Sequence, residues 1–315
     1  MFSLHLRQGR PRVPNRPHVD GAGLPARRAH LRKNRLVYSC AMRTSWAAYA
    51  LLACTLGLAA PPVAGADEIL RVATRPGVTV RVLLVVPAGE PSATVLMFPG
   101  GFGQNHFSER QGRIVMGQNF LVRTARLFAA RGLLVAVIDT PSDRAQGMDD
   151  AFRMGTSHAE DVAKVLQALE ARAPTPIYLA GTSRGTLSAA AVAASTKDPR
   201  VKGLILTSSL SDGGRGRNRS ATVFDTDLKR IQIPVLVVHH GQDGCTTTPF
   251  GAATALPAAL SGSAKVDFVE VTGGDPPRSE PCEALAAHGY LGREREVVAV
   301  IADWIAGKPV PKQLP

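Results

Sequence analysis

Short apolar runs rich in Val, Ile and Leu recur along the chain, and they are separated by stretches with helical periodicity. "VTVRVLLVVPAG" (78–89) alternates at first and then becomes continuously apolar. "ATVLMFPGG" (93–101), "LLVAVIDT" (133–140), "PIYLAG" (176–181), "VKGLILTSS" (201–209), "IPVLVVHHG" (233–241) and "KVDFVEVTGG" (265–274) follow. Between them, "GQNFLVRTARLFAAR" (117–131) places Phe120, Leu121, Ala125, Leu127 and Phe128 at helical spacing, with Gly132 as a stop. "SHAEDVAKVLQALEAR" (157–172) reads as a helix opened by a Ser157/Glu160 capping box. Residues 185–195 and "EREVVAVIADWIAG" (294–307) complete the set. A strand apolar on both faces must be covered on both faces. Such strands alternating with helices predict an α/β architecture, a mostly parallel sheet with helices on either side. No internal repeat, heptad or low-complexity tract interrupts it after residue 67, and 209–231 is the one long irregular connection expected. That length leaves room for a minimal cap at most.

Ligands on such sheets sit beyond the carboxyl ends of the strands, and four features of this chain fall there. Gly181-Thr182-Ser183-Arg184-Gly185 joins "PIYLA" to a helix. Glycines on either side let a strand and a helix cross closely, lifting the serine oxygen clear at the helix's positive end. A serine hydroxyl is a weak nucleophile without a base. His288, in "ALAAHGYLG" between the last strand and the last helix, supplies one. Asp243, directly after "VLVVHH", can orient and stabilise the imidazolium, and Asp212 after "LILTSSLS" is the alternative acid. The order Ser183, Asp243, His288 is the one expected of this architecture. Finally "FPGGFG" (98–103) offers backbone N–H groups to a developing oxyanion, with donors expected from Gly101 or Phe102 and from Arg184 after the nucleophile. Asp139 is expected at the edge of the site, and His239 and His240 as strand-end residues. No Cys/His/Asp cluster at metal spacing accompanies them, so no metal is expected.

These residues together give the chain its likeness: it resembles the α/β-hydrolases over roughly residues 70–307. It is most similar to compact bacterial hydrolases of esterase-like or dienelactone-hydrolase-like size. "NFLVRTARLFAARG", "DTPSD" and "GGDPPRSEPCEALAAHGYLG" look like marks of one such subgroup. The resemblance implies an eight-stranded, mostly parallel sheet, a covalent acyl-enzyme and no cofactor. Dienelactone hydrolases use a cysteine nucleophile where this chain has Ser183, which argues against their particular reaction. The function expected is cleavage of a carboxylic ester. Thioesterase, peptidase or acyltransferase chemistry on the same triad, and a non-catalytic binding protein on this scaffold, are the alternatives.

Charge removes one class of partner. The net charge of the 315-residue chain is +12, but residues 1–66 carry ten Lys/Arg and one acid, leaving 27 basic and 24 acidic residues beyond them. With aromatics at 5%, nothing in 67–315 suggests a nucleic-acid surface. Two readings of residues 1–41 stand, a basic arm and upstream sequence from an early start codon. The adjoining segment favours the second: Met42-Arg43, the apolar "WAAYALLACTLGLAA" and an Ala64-Gly65-Ala66 ending form a signal peptide over 42–66. The alternative there is lipid attachment at Cys54. A single domain over 67–315 in a periplasmic or secreted protein is therefore expected, without a membrane span in the mature chain. Small-molecule esters are its expected partners. Cys245 and Cys282 remain in it, and in an oxidising compartment a bridge between them would tie the acid loop to the histidine loop. Two separate thiols are the alternative.

Overall fold

The computed structural model describes residues 67–315, apart from 106, 111–112 and 217–218 and the side chains at 109, 110 and 113. The extension 1–41, the signal peptide 42–66 and Cys54 lie outside the described residues. The main sheet holds eight strands of six to nine residues, β1 (Glu68–Ala73), β2 (Thr79–Val85), β3 (Ala93–Phe98), β6 (Leu133–Pro141), β7 (Ile177–Ser183), β8 (Val201–Ser209), β9 (Val235–His240) and β10 (Val266–Val271). A two-residue strand, β11 (Gln313–Leu314), extends the β10 edge, and β4 (Ser108–Arg110) pairs with β5 (Arg113–Val115) in a separate hairpin. The order is β1-β2-β6-β3-β7-β8-β9-β10-β11. Only β2 runs against the rest, pairing antiparallel with β1 and with β6.

Among the described residues eight helices connect the strands: α1 (Phe120–Arg123), α2 (Ala125–Ala129), α3 (Asp150–Met154), α4 (Thr156–Arg172), α5 (Gly185–Ser195), α6 (Phe250–Ala253), α7 (Leu256–Ala259) and α8 (Glu294–Ile305). Because strand side chains alternate, the sheet divides the core in two. Leu96, Leu179, Leu204 and Val237 pack against α4 and α5 residues such as Val162 and Ala189. Met97, Ala180, Ile205 and Val238 pack on the other side with Phe120, Phe128 and Ile301.

Four local expectations change. The helix over 117–131 breaks into α1 and α2 at Thr124, whose Oγ1 donates to the Phe120 carbonyl at 2.6 Å and competes with the helical ladder. The Ser157/Glu160 box does not form, because α4 starts one residue earlier and is capped by Gly155 without a side-chain bond. Strand β1 has too many polar and exposed positions (burial falls only on Val72) to read as a core strand. The segment 209–231 is not the one long irregular connection, since 272–293 is of similar length and holds only a 3₁₀ turn at Ala287–Gly289.

Candidate active site

Ser183 ends β7 with φ at +52°, a left-handed value that a non-glycine residue adopts under strain. Gly181 and Gly185 make this turn possible. A Cβ on Gly181 would lie 2.6 Å from the Gly185 carbonyl oxygen, and one on Gly185 would lie 1.9 Å from that of Phe98. The strand, the helix and the Phe98–Pro99 backbone thus meet with no room for side chains between them. Thr186 Oγ1 donates to the Ser183 carbonyl at 2.6 Å and Thr207 Oγ1 to the Gly181 carbonyl at 3.0 Å, fixing both arms of the turn.

His288 lies on the 3₁₀ turn Ala287–Gly289, and Asp243 lies three residues past β9. Asp243, its side chain fully shielded from solvent, holds Oδ2 3.0 Å from His288 Nδ1. Thr248 Oγ1 donates to the same carboxylate oxygen at 2.9 Å and lies 3.1 Å from Nδ1. The backbone N–H of Cys245 donates to Oδ1 at 3.0 Å. A carboxylate facing Nδ1 requires the proton there, which leaves Nε2 as the basic nitrogen. That nitrogen makes no hydrogen bond among the described residues. His288 and Ser183 line one cavity of about 50 Å³ together with Gly101, Asn119, Phe120, Cys282 and Ala284. The turn bearing His288 is anchored from below: Ser208 Oγ donates to the His288 carbonyl at 2.7 Å. The buried Tyr290 hydroxyl donates to the Val238 carbonyl at 2.8 Å and accepts from Ser208 N–H at 3.0 Å. Burial drives the Tyr290 hydroxyl's pKa upward, keeping that donor protonated.

On the opposite wall, Gly100 makes the closest approach. A Cβ there would sit 2.9 Å from Ser183 Cβ and 3.3 Å from Asn119 Nδ2. Gly101 lines the cavity, whereas the Phe102 side chain lies outside it, 60% exposed, with the Arg184 guanidinium 5.5 Å from its ring centre. The backbone N–H groups of Gly101, Phe102 and Arg184 donate to no protein acceptor among the described residues. Arg184 itself pairs with Asp150 of α3 at 2.7 Å.

The side chains of the remaining candidates make no hydrogen bond to Ser183, Asp243 or His288 among the described residues, although His239 Nε2 lies 3.6 Å from Asp243 Oδ2. Asp212 is exposed and accepts the Gly214 N–H at 2.7 Å, so it takes no part in orienting His288. Asp139 is buried at the end of β6, where it accepts from Asn105 N–H and pairs with Arg81 at 2.5 Å. His239 Nε2–H donates to the Thr248 carbonyl at 2.8 Å and His240 Nε2–H to that of Gly273 at 2.9 Å. Both histidines are therefore structural donors, and burial lowers the pKa of His239. Among the described residues no group of three or more His, Cys, Asp or Glu could hold a metal ion. Cys245 and Cys282 are bonded, with Cα atoms 4.4 Å apart, and join the Asp243 loop to the His288 loop.

Sequence reasoning missed Thr248, Ser208, Tyr290 and Asn119. They come from segments far apart in the chain (Ser208 from the end of β8, the others from connections), and single threonines, serines or asparagines carry no periodic signal. The Asn119 Oδ1 accepts from Leu121 N–H at 3.2 Å as the cap of α1, which turns its Nδ2 toward Gly100.

No family model matches the chain, and neither does any curated protein sequence. Solved structures do. Est1E from Butyrivibrio proteoclasticus superposes with a TM-score of 0.50 at 15% identity, over 76% of this chain and 98% of that one. The acylaminoacyl peptidase of Pyrococcus horikoshii gives a TM-score of 0.53 at 12% identity, over 77% of this chain and 41% of its own. A cold-adapted esterase from an Arctic intertidal metagenomic library gives 0.48 at 21% identity, over 77% and 92%. At these identities the likeness is one of architecture. A sheet of eight long strands and the short β11, reversed only at its second strand, with Ser183 on the turn from β7 to α5, establishes that this chain has the α/β-hydrolase fold.

Proposed function

We propose that the protein is an exported serine hydrolase that cleaves a carboxylic ester through Ser183, His288 and Asp243. The observation that carries this reading is the convergence of three distant segments. A serine at positive φ shares a cavity with a histidine whose Nδ1 faces a buried carboxylate at 3.0 Å. His288 Nε2 takes the proton as Ser183 Oγ attacks the ester carbonyl. Negative charge grows on the former carbonyl oxygen, and the Gly101–Phe102 segment and Arg184, whose N–H groups have no protein acceptor among the described residues, receive it in this reading. His288 then passes its proton to the departing alcohol. Water, deprotonated by the same nitrogen, cleaves the acyl-enzyme and restores Ser183.

The cavity beside Ser183 is small, about 50 Å³, and this favours a small acyl group. Export is supported by the Cys245–Cys282 bridge, since disulfides persist in oxidising compartments. No helix among the described residues is long and apolar enough to cross a membrane. The test is hydrolysis of p-nitrophenyl esters of graded length by the protein and by Ser183→Ala, with fluorophosphonate labelling alongside. Activity on acetate or propionate esters, and its loss with the label in the variant, is expected. Equal turnover by Ser183→Ala would remove the serine from the mechanism.

A further inference from the structure

Beneath the oxyanion segment lies a cation that the proton-transfer scheme does not use. Arg153, on α3, is 1% exposed and is the largest fully buried side chain among the described residues. Among the described residues no carboxylate pairs with it. Asp161 is engaged through both oxygens by Arg75, at 2.9 Å each, and Asp150 by Arg184. Burial above all, and then the nearby Arg184 charge, push its pKa down to about 10, which leaves it charged at neutral pH. A buried guanidinium without a counter-ion is costly to a fold.

Its hydrogen bonds show where that cost is directed. Nη2 donates to the Gly101 carbonyl at 3.1 Å and reaches that of Pro99 at 3.5 Å, while Nη1 donates to Ser188 Oγ on α5 at 3.1 Å. A Cβ on Gly103 would stand 2.9 Å from Nη2, so the segment packs directly on the guanidinium. The carbonyl of Gly101 and the N–H of Phe102 belong to one planar trans peptide and point in opposite directions. Pulling the carbonyl inward to Arg153 therefore turns the Phe102 N–H away from it, and a charged donor on the oxygen polarises the peptide and strengthens that N–H. The Phe102 carbonyl is held in turn by Met148 N–H at 2.9 Å.

We propose that Arg153 is a positioning residue that fixes and polarises the Gly101–Phe102 peptide so that its N–H receives the oxyanion. This rests on Ser183 being the nucleophile. The test compares the protein with Arg153→Met and Arg153→Lys by kinetics on p-nitrophenyl acetate, thermal unfolding, and amide exchange of residues 100–103. In Arg153→Met, kcat falls about 10- to 100-fold with KM within about threefold, since the loss belongs to the transition state. Exchange of that segment quickens, and Arg153→Lys, which keeps the charge, recovers part of kcat. A folded Arg153→Met with unchanged kcat, or one whose only change is a raised KM, would overturn the proposal. If Arg153→Met does not fold, Arg153→Lys decides: full activity with unchanged exchange overturns it. A parent protein that neither turns over the ester nor takes the fluorophosphonate fails the hydrolase reading instead, and unchanged exchange in Arg153→Met then removes the anchoring role as well.

Discussion

At Asp243 a single atom decides the outcome. Replacing Oδ2 by an amide nitrogen in Asp243→Asn places a donor against His288 Nδ1 and favours the wrong tautomer, so Nε2 loses its lone pair. Turnover of p-nitrophenyl acetate is expected to fall roughly 10³- to 10⁴-fold with little change in KM. Steady-state kinetics checks it, and a loss below about tenfold would displace Asp243 from the orienting role. Tyr290→Phe acts one layer further down. It leaves the Val238 carbonyl and Ser208 N–H unpaired in a buried site, at a cost of about 1–3 kcal/mol. Because the same network holds the His288 carbonyl through Ser208, chemical denaturation should show that loss together with reduced kcat. Ser183, Asp243 and His288 could be named from the chain because strand ends and glycine spacing mark them. Thr248, Tyr290 and Arg153 could not, because what makes them important is contact with residues 40 to 52 positions or more away.

Among the elements, the two loops carrying Asp243 and His288 share no strand or helix. Their one covalent tie is the Cys245–Cys282 bridge, which spans 37 residues and whose Cys282 borders the Ser183 cavity. Closing a loop of that size contributes about 3–4 kcal/mol in the chain-entropy description. Replacing both cysteines by serine, or reducing the bridge, should lower the unfolding midpoint accordingly. It should also lower kcat more than KM, because Asp243 Oδ1 loses a fixed Cys245 N–H. A double serine variant with native kinetics would confine the bridge to stability alone. Helix boundaries depend on equally local chemistry. Apolar spacing over 117–131 located a helical region, yet Thr124 divides it, and a hydroxyl's choice of a backbone carbonyl is invisible to a periodicity count. Similarly, Ser157 and Glu160 match a capping pattern, but the backbone enters α4 from Gly155 and never presents the pair to a free N–H.

Across the whole molecule, buried histidines govern the response to mild acid. His158 packs between Phe98 and Phe152 with neither ring nitrogen bonded. Burial, followed by the charges of Arg153 and Arg75, lowers its pKa to about 3. Burial also lowers that of His239. Between its folded value and about 6.5, the unfolded chain binds a proton at His158 that the native state does not, so stability rises with pH through that window. Its contribution is complete above the unfolded value and is lost as the pH falls below it. The carboxylates lowered by arginine partners, Asp143 and Asp198, lose their contributions only further into acid. Unfolding midpoints should therefore drop between about pH 6.5 and 5, and His158→Leu should flatten part of that slope. An identical slope in the variant would assign the drop elsewhere.

The sequence alone determined the class of fold and the position of most strands, and it marked Ser183, His288 and two candidate acids. Continuous apolar runs can bury themselves only in a covered parallel sheet, and the strand ends of such a sheet are where reactive side chains collect. Only the tertiary structure decided which acid meets His288. Asp212 and Asp243 both follow apolar strands, but one faces solvent and a glycine turn while the other is buried against the imidazole. It likewise set Arg153 against the Gly101 carbonyl. Arg153 is one of 37 basic residues in the chain. Its burial under Gly101 depends on α3 packing against α5, and packing between distant segments leaves no mark on the residues considered one at a time.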